Sequence, residues 1–173
     1  MQSFKHCPLC AGYLHQSIVP SEGRDRLVCE GCGYIFYLNP RVVCGSLPVQ
    51  DGKLWLLRRG IEPRLGYWTY PAGYQELDET CEEAAIRETY EEIGVTIQLT
   101  SLLGVYSRAN APVVNIVYLA RLVPNGTLPA PTDEALEVAL FSPKDIPWSA
   151  LAFESTTRVL ADWVRITGYD GGG

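Results

Sequence analysis

The sequence predicts a mixed α/β domain in which helices pack on a β-sheet, preceded by a short cysteine-rich segment. Three observations support this fold class. Two β-rich runs, residues 41–49 and 53–59, flank a Gln-Asp-Gly turn and indicate a hairpin. An amphipathic helical pattern covers residues 79–93. Strand-like and helix-like segments then alternate irregularly, with no internal repeat.

Composition limits the partners that this chain can have. The 173 residues are 47% hydrophobic and 20% charged, which suits one globular domain with a small appendage. The net charge of −6 argues against binding to nucleic-acid backbones, which requires many neutralised phosphates. A small anionic substrate remains compatible with this charge, because bound divalent metals can invert the charge of a site.

The sequence also bears on the compartment. It has no run of about 18 uninterrupted apolar residues, which predicts no membrane span. The N-terminal residues lack the apolar stretch of a secretory signal. Six cysteines without such a signal suggest a reducing environment, in which paired cysteines more often bind metal than form disulfides. We therefore expect a cytoplasmic protein.

A metal-binding pattern lies in the N-terminal segment. Cys7 and Cys10 form one C-x2-C pair, Cys29 and Cys32 form a second, and 18 residues separate the pairs. Four thiolates on two tight turns complete a structural zinc site with no open position for catalysis. The alternatives are two disulfides, a redox pair or a nucleic-acid-binding ribbon. The few basic residues stand beside acidic ones, which disfavours the ribbon that binds nucleic acid.

The central helix is predicted over residues 79–93. Thr80 or Asp78 can cap it, acidic residues fill its first turns, and Gly94 ends it. We expect one face, formed by Ile86, Thr89, Tyr90 and Ile93, to pack inward.

The remaining elements follow from periodicity and turn residues. Residues 60–78 are expected to be loop with one short strand, and 124–132 a proline-rich loop. The expected strands are 95–107, 113–122 and 137–142, and a second amphipathic helix is expected over 153–166. This gives three parts: a zinc ribbon at 1–38, a domain at 39–168 and a disordered tail at 169–173.

Three carboxylates share one face of the central helix. Glu88, Glu91 and Glu92 stand at i, i+3 and i+4, and their mutual repulsion disfavours the helix. That cost is understandable if they share hard divalent cations, which prefer oxygen ligands. A solvated acidic face is the alternative, and the helix alone does not decide between the two.

The surrounding residues decide it. Gly73, Glu79, Arg87, the three glutamates and Gly94 with Val95 meet every fixed position of G-x5-E-x7-R-E-U-x-E-E-x-G-U, so the segment resembles the Nudix box. Residues 66–73 resemble that family's G-x-W-x-(L)-P-x-G lead-in. Thr89 stands where the pattern has a bulky aliphatic residue. Because Thr is β-branched and close to Val in size, we expect only a small packing difference.

The resemblance implies a fold and a reaction. Nudix proteins share an α/β/α sandwich with a mixed sheet, and they hydrolyse nucleoside diphosphates linked to another moiety with Mg²⁺ or Mn²⁺. It assigns metal binding and catalysis to Glu88, Glu91 and Glu92, and a further metal ligand to a backbone carbonyl near Gly73. Pyrophosphate hydrolysis by water needs neutralised phosphoryl oxygens, an activated nucleophile and a proton acceptor.

Further site residues follow from the same resemblance. Glu79 and Arg87 are expected to form an ion pair that braces the motif loop. Family members often use another glutamate after the box. Glu134, in a loop that could close on substrate, and Glu137, at the start of a strand, are equal candidates, and a plain surface role stays open for both.

Two arginines are weaker candidates from position alone. Arg58 and Arg59 end the second strand near the expected cleft and are candidates for binding substrate phosphate, although a solvated strand edge explains them as well.

The zinc-ribbon pattern narrows the family. Asn39-Pro40, Ile146-Pro147-Trp148 and Ala152-Phe153 resemble a zinc-ribbon group that includes a plant plastid FAD pyrophosphatase and bacterial relatives. We therefore expect hydrolysis of ADP-linked diphosphates of the ADP-ribose or FAD type, releasing AMP.

Two alternatives and one expectation about assembly remain. The first alternative is the NADH pyrophosphatase branch, which also removes NAD caps from RNA. Its S-Q-P-W-P-F-P-x-S signature is missing from residues 101–108. The second is a non-catalytic nucleotide sensor, which would not need the crowded carboxylates. The resemblance allows a homodimer and makes a small nucleotide the expected partner.

Overall fold

The computed structural model describes residues 4–124 and 127–168, so the predicted tail at 169–173 lies outside the described residues. The chain divides into two compact units, Met1–Asn39 and Pro40–Gly173. In the part of the chain that the structure describes, neither α-helix is long and apolar enough to cross a membrane.

The first unit is a small antiparallel sheet. Its strands are β1 (Leu14–Val19), β2 (Arg24–Cys29) and β3 (Ile35–Phe36), paired in the order β1-β2-β3. Few residues of this unit are fully buried, and Cys7 and Cys29 are two of them. A unit with so small an apolar core needs another source of stability.

The second unit is built on a mixed sheet with two α-helices. Its elements are β4 (Arg41–Gln50), β5 (Lys53–Arg59), β6 (Trp68–Thr69), β7 (Ala72–Tyr74), α1 (Cys81–Ile93), β8 (Ile97–Tyr106), β9 (Val113–Leu122), β10 (Ala135–Phe141) and α2 (Glu154–Ile166). The main strand order is β10-β5-β4-β9-β8, with β6 beside β5 and β7 beside β4. Strands β4 and β9 are parallel and the other pairs antiparallel, which confirms the predicted mixed sheet.

The alternation of side chains along β4 places one helix on each face of this sheet. Leu47 packs with Leu160 and Trp163 of α2 in one apolar cluster. Cys44 packs with Ala84 and neighbouring residues of α1 in another. Successive side chains of a strand point to opposite faces, so the two clusters lie on opposite sides. The predicted α/β/α sandwich is confirmed.

One prediction about α1 is wrong. Tyr90 was expected on the inward face, yet it is 61% exposed. The helix packs instead through Ala84, Ala85, Thr89 and Ile93, all of which are fully buried. The buried stripe runs along Ala85, Thr89 and Glu92, and Tyr90 lies outside it because successive helix residues are about 100° apart.

Candidate active site

The start of α1 is fixed by a reciprocal cap. Thr80 Oγ1 accepts a hydrogen bond from the backbone N–H of Glu83 at 3.2 Å, and Glu83 Oε2 accepts one from the N–H of Thr80 at 2.8 Å. Gly94 ends the helix with a left-handed φ of 71°. Of the two candidate caps, Thr80 is the one used. Both helix ends are thereby held independently of any ligand.

Arg87 on α1 ties the helix to the loop that joins β7 to α1, called the motif loop below. Its Nε and Nη2 donate to the two carboxylate oxygens of Glu79 at 2.9 and 2.6 Å, and Nη2 also donates to the Tyr74 carbonyl at 3.1 Å. Its Nη1 donates to Glu88 at 2.7 Å and to Glu91 at 2.9 Å. Hydrogen bonds from Arg87 and from the backbone N–H of Glu76 lower the pKa of Glu79 to about 2. The expected pair is therefore present as a bidentate ion pair.

Glu88 lies against Gly73 at a distance that only glycine allows. A Cβ atom at position 73 would be 2.1–2.2 Å from the Glu88 carboxylate. The side chain is only 14% exposed. Burial raises the pKa of Glu88, although the hydrogen bond from Arg87 opposes the shift. The motif glycine therefore makes room for a carboxylate pressed against the backbone of β7.

Glu92 is the most buried of the three helix carboxylates, at 5% exposure. Its Oε2 accepts a hydrogen bond from the backbone N–H of Ala72 at 2.8 Å. Burial raises the pKa of Glu92 to about 8, and the nearby charges of Glu88 and Glu134 add to the effect. Sequence patterning places this residue on an acidic face but gives no sign that it is buried or that it meets Ala72.

Glu91 differs from its two neighbours. Its side chain is 53% exposed and is held by Arg87. Within the described residues, one group of three or more possible metal ligands has all its donor atoms within 4.8 Å of one another, and that group is the cysteine quartet. The three helix carboxylates do not meet this spacing, and Glu88 and Glu91 are instead bridged by Arg87 Nη1.

The structure separates the two later glutamates. The carbonyl of Glu134 accepts a hydrogen bond from the N–H of Gly60 at 2.7 Å, which fixes its backbone beside the end of β5. Its charge raises the pKa of both Glu88 and Glu92. Glu137 Oε2 instead lies 3.7 Å from Arg58 Nη1, with its side chain 52% exposed. Glu134 therefore lies close to Glu88 and Glu92, and these three residues are called the carboxylate cluster below. Glu137 lies at the edge of the sheet.

The two strand-end arginines also differ. Arg58 Nε donates to the Gly66 carbonyl at 2.8 Å, and the same guanidinium faces Glu137. Arg59 Nε donates to the Pro63 carbonyl at 2.8 Å. The charge of Arg59 opposes the raised pKa of Glu92, so the two side chains are near each other, and the Arg59 guanidinium lies 5.3 Å from the centroid of the Phe153 ring. Arg59 is the better placed of the two to meet an anionic ligand near Glu92.

The segment before Glu134 is tied to the end of α1. Thr132 Oγ1 donates to the Glu92 carbonyl at 3.1 Å, and the N–H of Ala130 donates to the Ile93 carbonyl at 3.0 Å. These contacts satisfy carbonyls that a helix end leaves free. Sequence reasoning missed them, since Pro, Ala and Thr in a loop give no signal for a partner in the helix.

The charges and the oxygen donors of Glu88, Glu92 and Glu134 indicate which kind of ion this cluster of carboxylates could bind. The charge of Glu134 raises the pKa of both Glu88 and Glu92, and the charge of Glu88 raises that of Glu92, while Arg87 opposes the shift of Glu88 and Arg59 that of Glu92. Partly buried carboxylate oxygens that repel one another are the donors that hard divalent cations prefer. The room that Gly73 leaves lets the Glu88 carboxylate lie directly against the backbone of β7. The residues fit Mg²⁺ or Mn²⁺.

The cysteine quartet of the first unit is a separate site. Cys10 Sγ lies 3.4 Å from Cys29 Sγ, and Cys7 Sγ lies 3.8 Å from Cys32 Sγ. All six cysteines of the chain are free thiols. A tetrahedron with Zn–S bonds of about 2.3 Å has sulfur–sulfur distances of about 3.8 Å. The N–H of Cys32 lowers the pKa of the Cys29 thiol to about 7, which favours a thiolate. The four sulfurs fit a structural zinc ion.

Comparison with known families places both units. Residues 39–164 match the family profile of the NUDIX domain. Residues 5–38 match the zinc-ribbon family described as Nudix N-terminal.

Individual proteins and structures give the same picture. The chain is 35% identical over 136 residues to an ADP-ribose pyrophosphatase of Methanocaldococcus jannaschii, a match that covers 76% of this chain and 78% of the relative. It is 26% identical to the NAD-capped RNA hydrolase NudC of Vibrio atlanticus, over 84% of this chain and 52% of that protein. A NUDIX hydrolase structure from Nitrosomonas europaea superposes with a TM-score of 0.85 at 34% identity, covering 95% and 94% of the two chains.

Proposed function

This chain belongs to the Nudix family of pyrophosphohydrolases, and on that premise we propose that it hydrolyses the pyrophosphate bond of ADP-linked nucleoside diphosphates with Mg²⁺ or Mn²⁺. The observation that carries the proposal is the buried pair Glu88 and Glu92, held against Gly73 and Ala72 beside Glu134. A nucleotide sensor without catalysis would have no use for carboxylates kept at this cost of burial and repulsion.

The chain's own residues divide the work. Glu88 and Glu92, with the Gly73 carbonyl and the more exposed Glu91, would hold the divalent metal. When bound, that metal supplies neutralisation of charge on the diphosphate and a lower pKa for the attacking water. Arg87 and Glu79 fix the loop that carries Gly73, so the oxygen ligands are held in place before substrate arrives.

Proton transfer and phosphate binding fall to the end of β5 and the start of β10. Glu134 takes the proton of the attacking water, because it lies close to Glu88 and its backbone is fixed by the hydrogen bond from Gly60. Arg59 would bind a phosphoryl oxygen, since its charge acts on Glu92 and therefore lies close to the site. Arg58 and Glu137, paired with each other at 3.7 Å, take no part in the reaction.

The substrate class follows from the relatives and from the resemblance of the C-terminal segment. A protein named as an ADP-ribose pyrophosphatase is 35% identical to this chain. Tyr67 and Tyr74 are 39% and 41% exposed, and one face of each ring carries a guanidinium, that of Arg64 at 5.5 Å and that of Arg41 at 3.9 Å from the centroid. Stacking on a base or flavin would therefore use the other ring face. Tyr70, between Tyr67 and Tyr74 in sequence, is 2% exposed and is excluded from that role.

A substrate panel tests the proposal. We expect ADP-ribose and FAD to give higher kcat/KM than NADH and 8-oxo-dGTP under one Mg²⁺ condition, repeated with Mn²⁺. The products should be AMP with ribose 5-phosphate or FMN. The metal contacts only the diphosphate that these substrates share. Contacts to the half of the substrate beyond the diphosphate must therefore distinguish one substrate from another. A lead of NADH or a nucleoside triphosphate by more than about tenfold, equal to about 1.4 kcal/mol of transition-state binding, would overturn the substrate class.

The second candidate is hydrolysis of NADH or of NAD caps on RNA. A relative named NAD-capped RNA hydrolase matches 84% of this chain, and NADH is therefore included in the substrate panel. It ranks lower because residues 101–108 lack the signature of that branch and the match spans about half of the relative.

The ribbon carries a prediction of its own. We expect one zinc ion per chain, bound by Cys7, Cys10, Cys29 and Cys32, in elemental analysis of protein purified without chelator. Cys7→Ser should raise hydrogen exchange across residues 4–38, since the small core cannot hold the unit together alone. The second unit should keep its exchange protection. Disulfides in protein freshly purified from a reducing lysate would contradict the zinc site.

A second prediction concerns the contact between Gly73 and Glu88. Gly73→Ala should lower kcat by at least about tenfold, because the new Cβ must push the carboxylate aside and a displacement near 1 Å is costly. Gly45→Ala is the matched control. There a Cβ would lie 2.6–2.8 Å from Ala72, Tyr70 and the Pro71 carbonyl, which are parts of the core and the backbone.

The two glycine variants should fail in different ways. We expect Gly73→Ala to keep most of its melting temperature and Gly45→Ala to lose stability. A Gly73→Ala enzyme with unchanged kcat would show that the position of Glu88 is not critical.

Localisation and assembly complete the proposal. We place the active protein in the cytoplasm, where thiols stay reduced. The boundaries are a zinc ribbon over residues 1–38 and a hydrolase domain over 39–168. The resemblance to the family allows a homodimer, and the proposed ligand is a small nucleotide rather than nucleic acid.

A further inference from the structure

Two buried hydroxyl groups meet between the sheet and α1. Ser46 on β4 and Thr89 on α1 are both 0% exposed, and their Oγ atoms lie 2.6 Å apart. Thr89 Oγ1 donates to the Ala85 carbonyl at 2.6 Å. Because a hydroxyl has one proton, Ser46 must donate to Thr89. The result is a directed chain from Ser46 through Thr89 to the backbone of the helix.

Ser46 also holds the other half of the carboxylate site. Its backbone N–H donates to the Pro71 carbonyl at 3.0 Å. Ala72, which follows Pro71, donates its N–H to the Glu92 carboxylate. A single residue of β4 therefore contacts both the segment that leads into Gly73 and the helix that carries the glutamates.

This link acts on the part of α1 that matters for the site. Thr89 directly follows Glu88 and stands three residues before Glu92. A small rotation or shift of the helix on β4 would move both carboxylates, and Glu88 has little tolerance because it already fills the space beside Gly73. An aliphatic pair would pack here without direction, whereas a hydrogen bond between two buried hydroxyls fixes one register.

We propose that Ser46, acting through Thr89, is a positioning residue that sets the carboxylates of α1 against the Ala72–Gly73 segment for divalent-metal binding. This inference rests on the proposed function. It also assigns a role to the one departure of this chain from the motif, since Thr89 supplies a hydroxyl where an aliphatic residue is usual.

The test uses the full chain with zinc in its ribbon and Mn²⁺ as the probe. Isothermal titration calorimetry should show Ser46→Ala and Thr89→Val each weakening Mn²⁺ binding by about tenfold, as expected for groups that orient metal ligands. Hydrolysis should show a matching rise in the Mn²⁺ concentration for half-maximal rate. The double variant should bind no more weakly than the worse single variant, because both remove the same link.

Two control variants separate positioning from plain stability. Thr89→Ser keeps the hydroxyl and deletes a buried methyl group, so it should lower the melting temperature and keep Mn²⁺ affinity. Thr156→Val removes one member of another buried hydroxyl pair, Thr69 and Thr156 at 3.2 Å, which does not involve α1. It should lower stability and leave Mn²⁺ affinity unchanged.

The outcomes distinguish the two proposals. A wild-type chain that binds no Mn²⁺ and hydrolyses neither ADP-ribose nor FAD would defeat the proposed function. A wild type that does both, with Ser46→Ala lowering the melting temperature as Thr156→Val does and keeping wild-type Mn²⁺ affinity, would defeat only this inference. Additive losses in the double variant would also contradict it.

Discussion

Glu88→Gln and Glu92→Gln are each expected to lower kcat for ADP-ribose by at least about a hundredfold, because a lost metal ligand removes several kcal/mol of transition-state stabilisation. Glutamine keeps the size of the side chain and an oxygen that can accept the Ala72 N–H, so folding should be retained. The measurement is kcat at saturating Mg²⁺, with Mn²⁺ affinity determined on the same protein.

Glu82→Gln is the charge-matched control. Glu82 lies in the first turn of the same helix and accepts a hydrogen bond from Tyr118 at 2.9 Å, away from Gly73. It loses the same unit of charge, so retained activity there would show that the loss in Glu88→Gln or Glu92→Gln is local. Near-wild-type kcat in either of those variants would remove the metal-site assignment. We expect Glu91→Gln to cost less, because Glu91 is more exposed and held mainly by Arg87.

Local sequence signals account for most of the fold. The capping residues Thr80, Glu83 and Gly94 and the hairpin around Gly52 act within a few residues, so they can be read directly. The helix and strand limits fall within about two residues of those expected, which is the usual uncertainty of element ends. The cysteine quartet could be predicted from its spacing, and the Glu79–Arg87 pair from the resemblance to the Nudix box.

What could not be read are contacts between distant segments. A helical pattern shows that Glu88, Glu91 and Glu92 share a face, but not that Glu92 is buried on Ala72 while Glu91 stays exposed. The same ambiguity produced the wrong inward assignment of Tyr90. Ser46 gives no signal in an apolar strand, because its role depends on a helix more than forty residues later.

The choice between Glu134 and Glu137 shows the same limit and leads to the second large effect. Both residues lie after the box, and their sequence context does not separate them. The structure does, because the register of β10 on β5 shifts between Ala135 and Glu137. Beyond that irregularity Glu137 pairs with Arg58, while Glu134 before it stays with Glu88 and Glu92.

Glu134→Gln is therefore expected to lower kcat by about a hundredfold, the lower end of what a lost proton acceptor costs. KM for ADP-ribose and the affinity for Mn²⁺ should change little, because the amide keeps the shape and the Gly60 contact is to the backbone. Glu137→Gln is the matched control, since it removes the same charge from a residue three positions away and should leave kcat near the wild-type value.

The pattern of results assigns the role. A loss of kcat in Glu134→Gln with unchanged Mn²⁺ affinity identifies a proton acceptor, since a metal ligand would change both quantities together. Equal losses in the two variants, or a larger loss in Glu137→Gln, would show that the sheet-edge glutamate leaves Arg58 when substrate binds. In that case Arg58→Ala should keep or raise kcat, because it frees Glu137 from the contact that holds it at 3.7 Å.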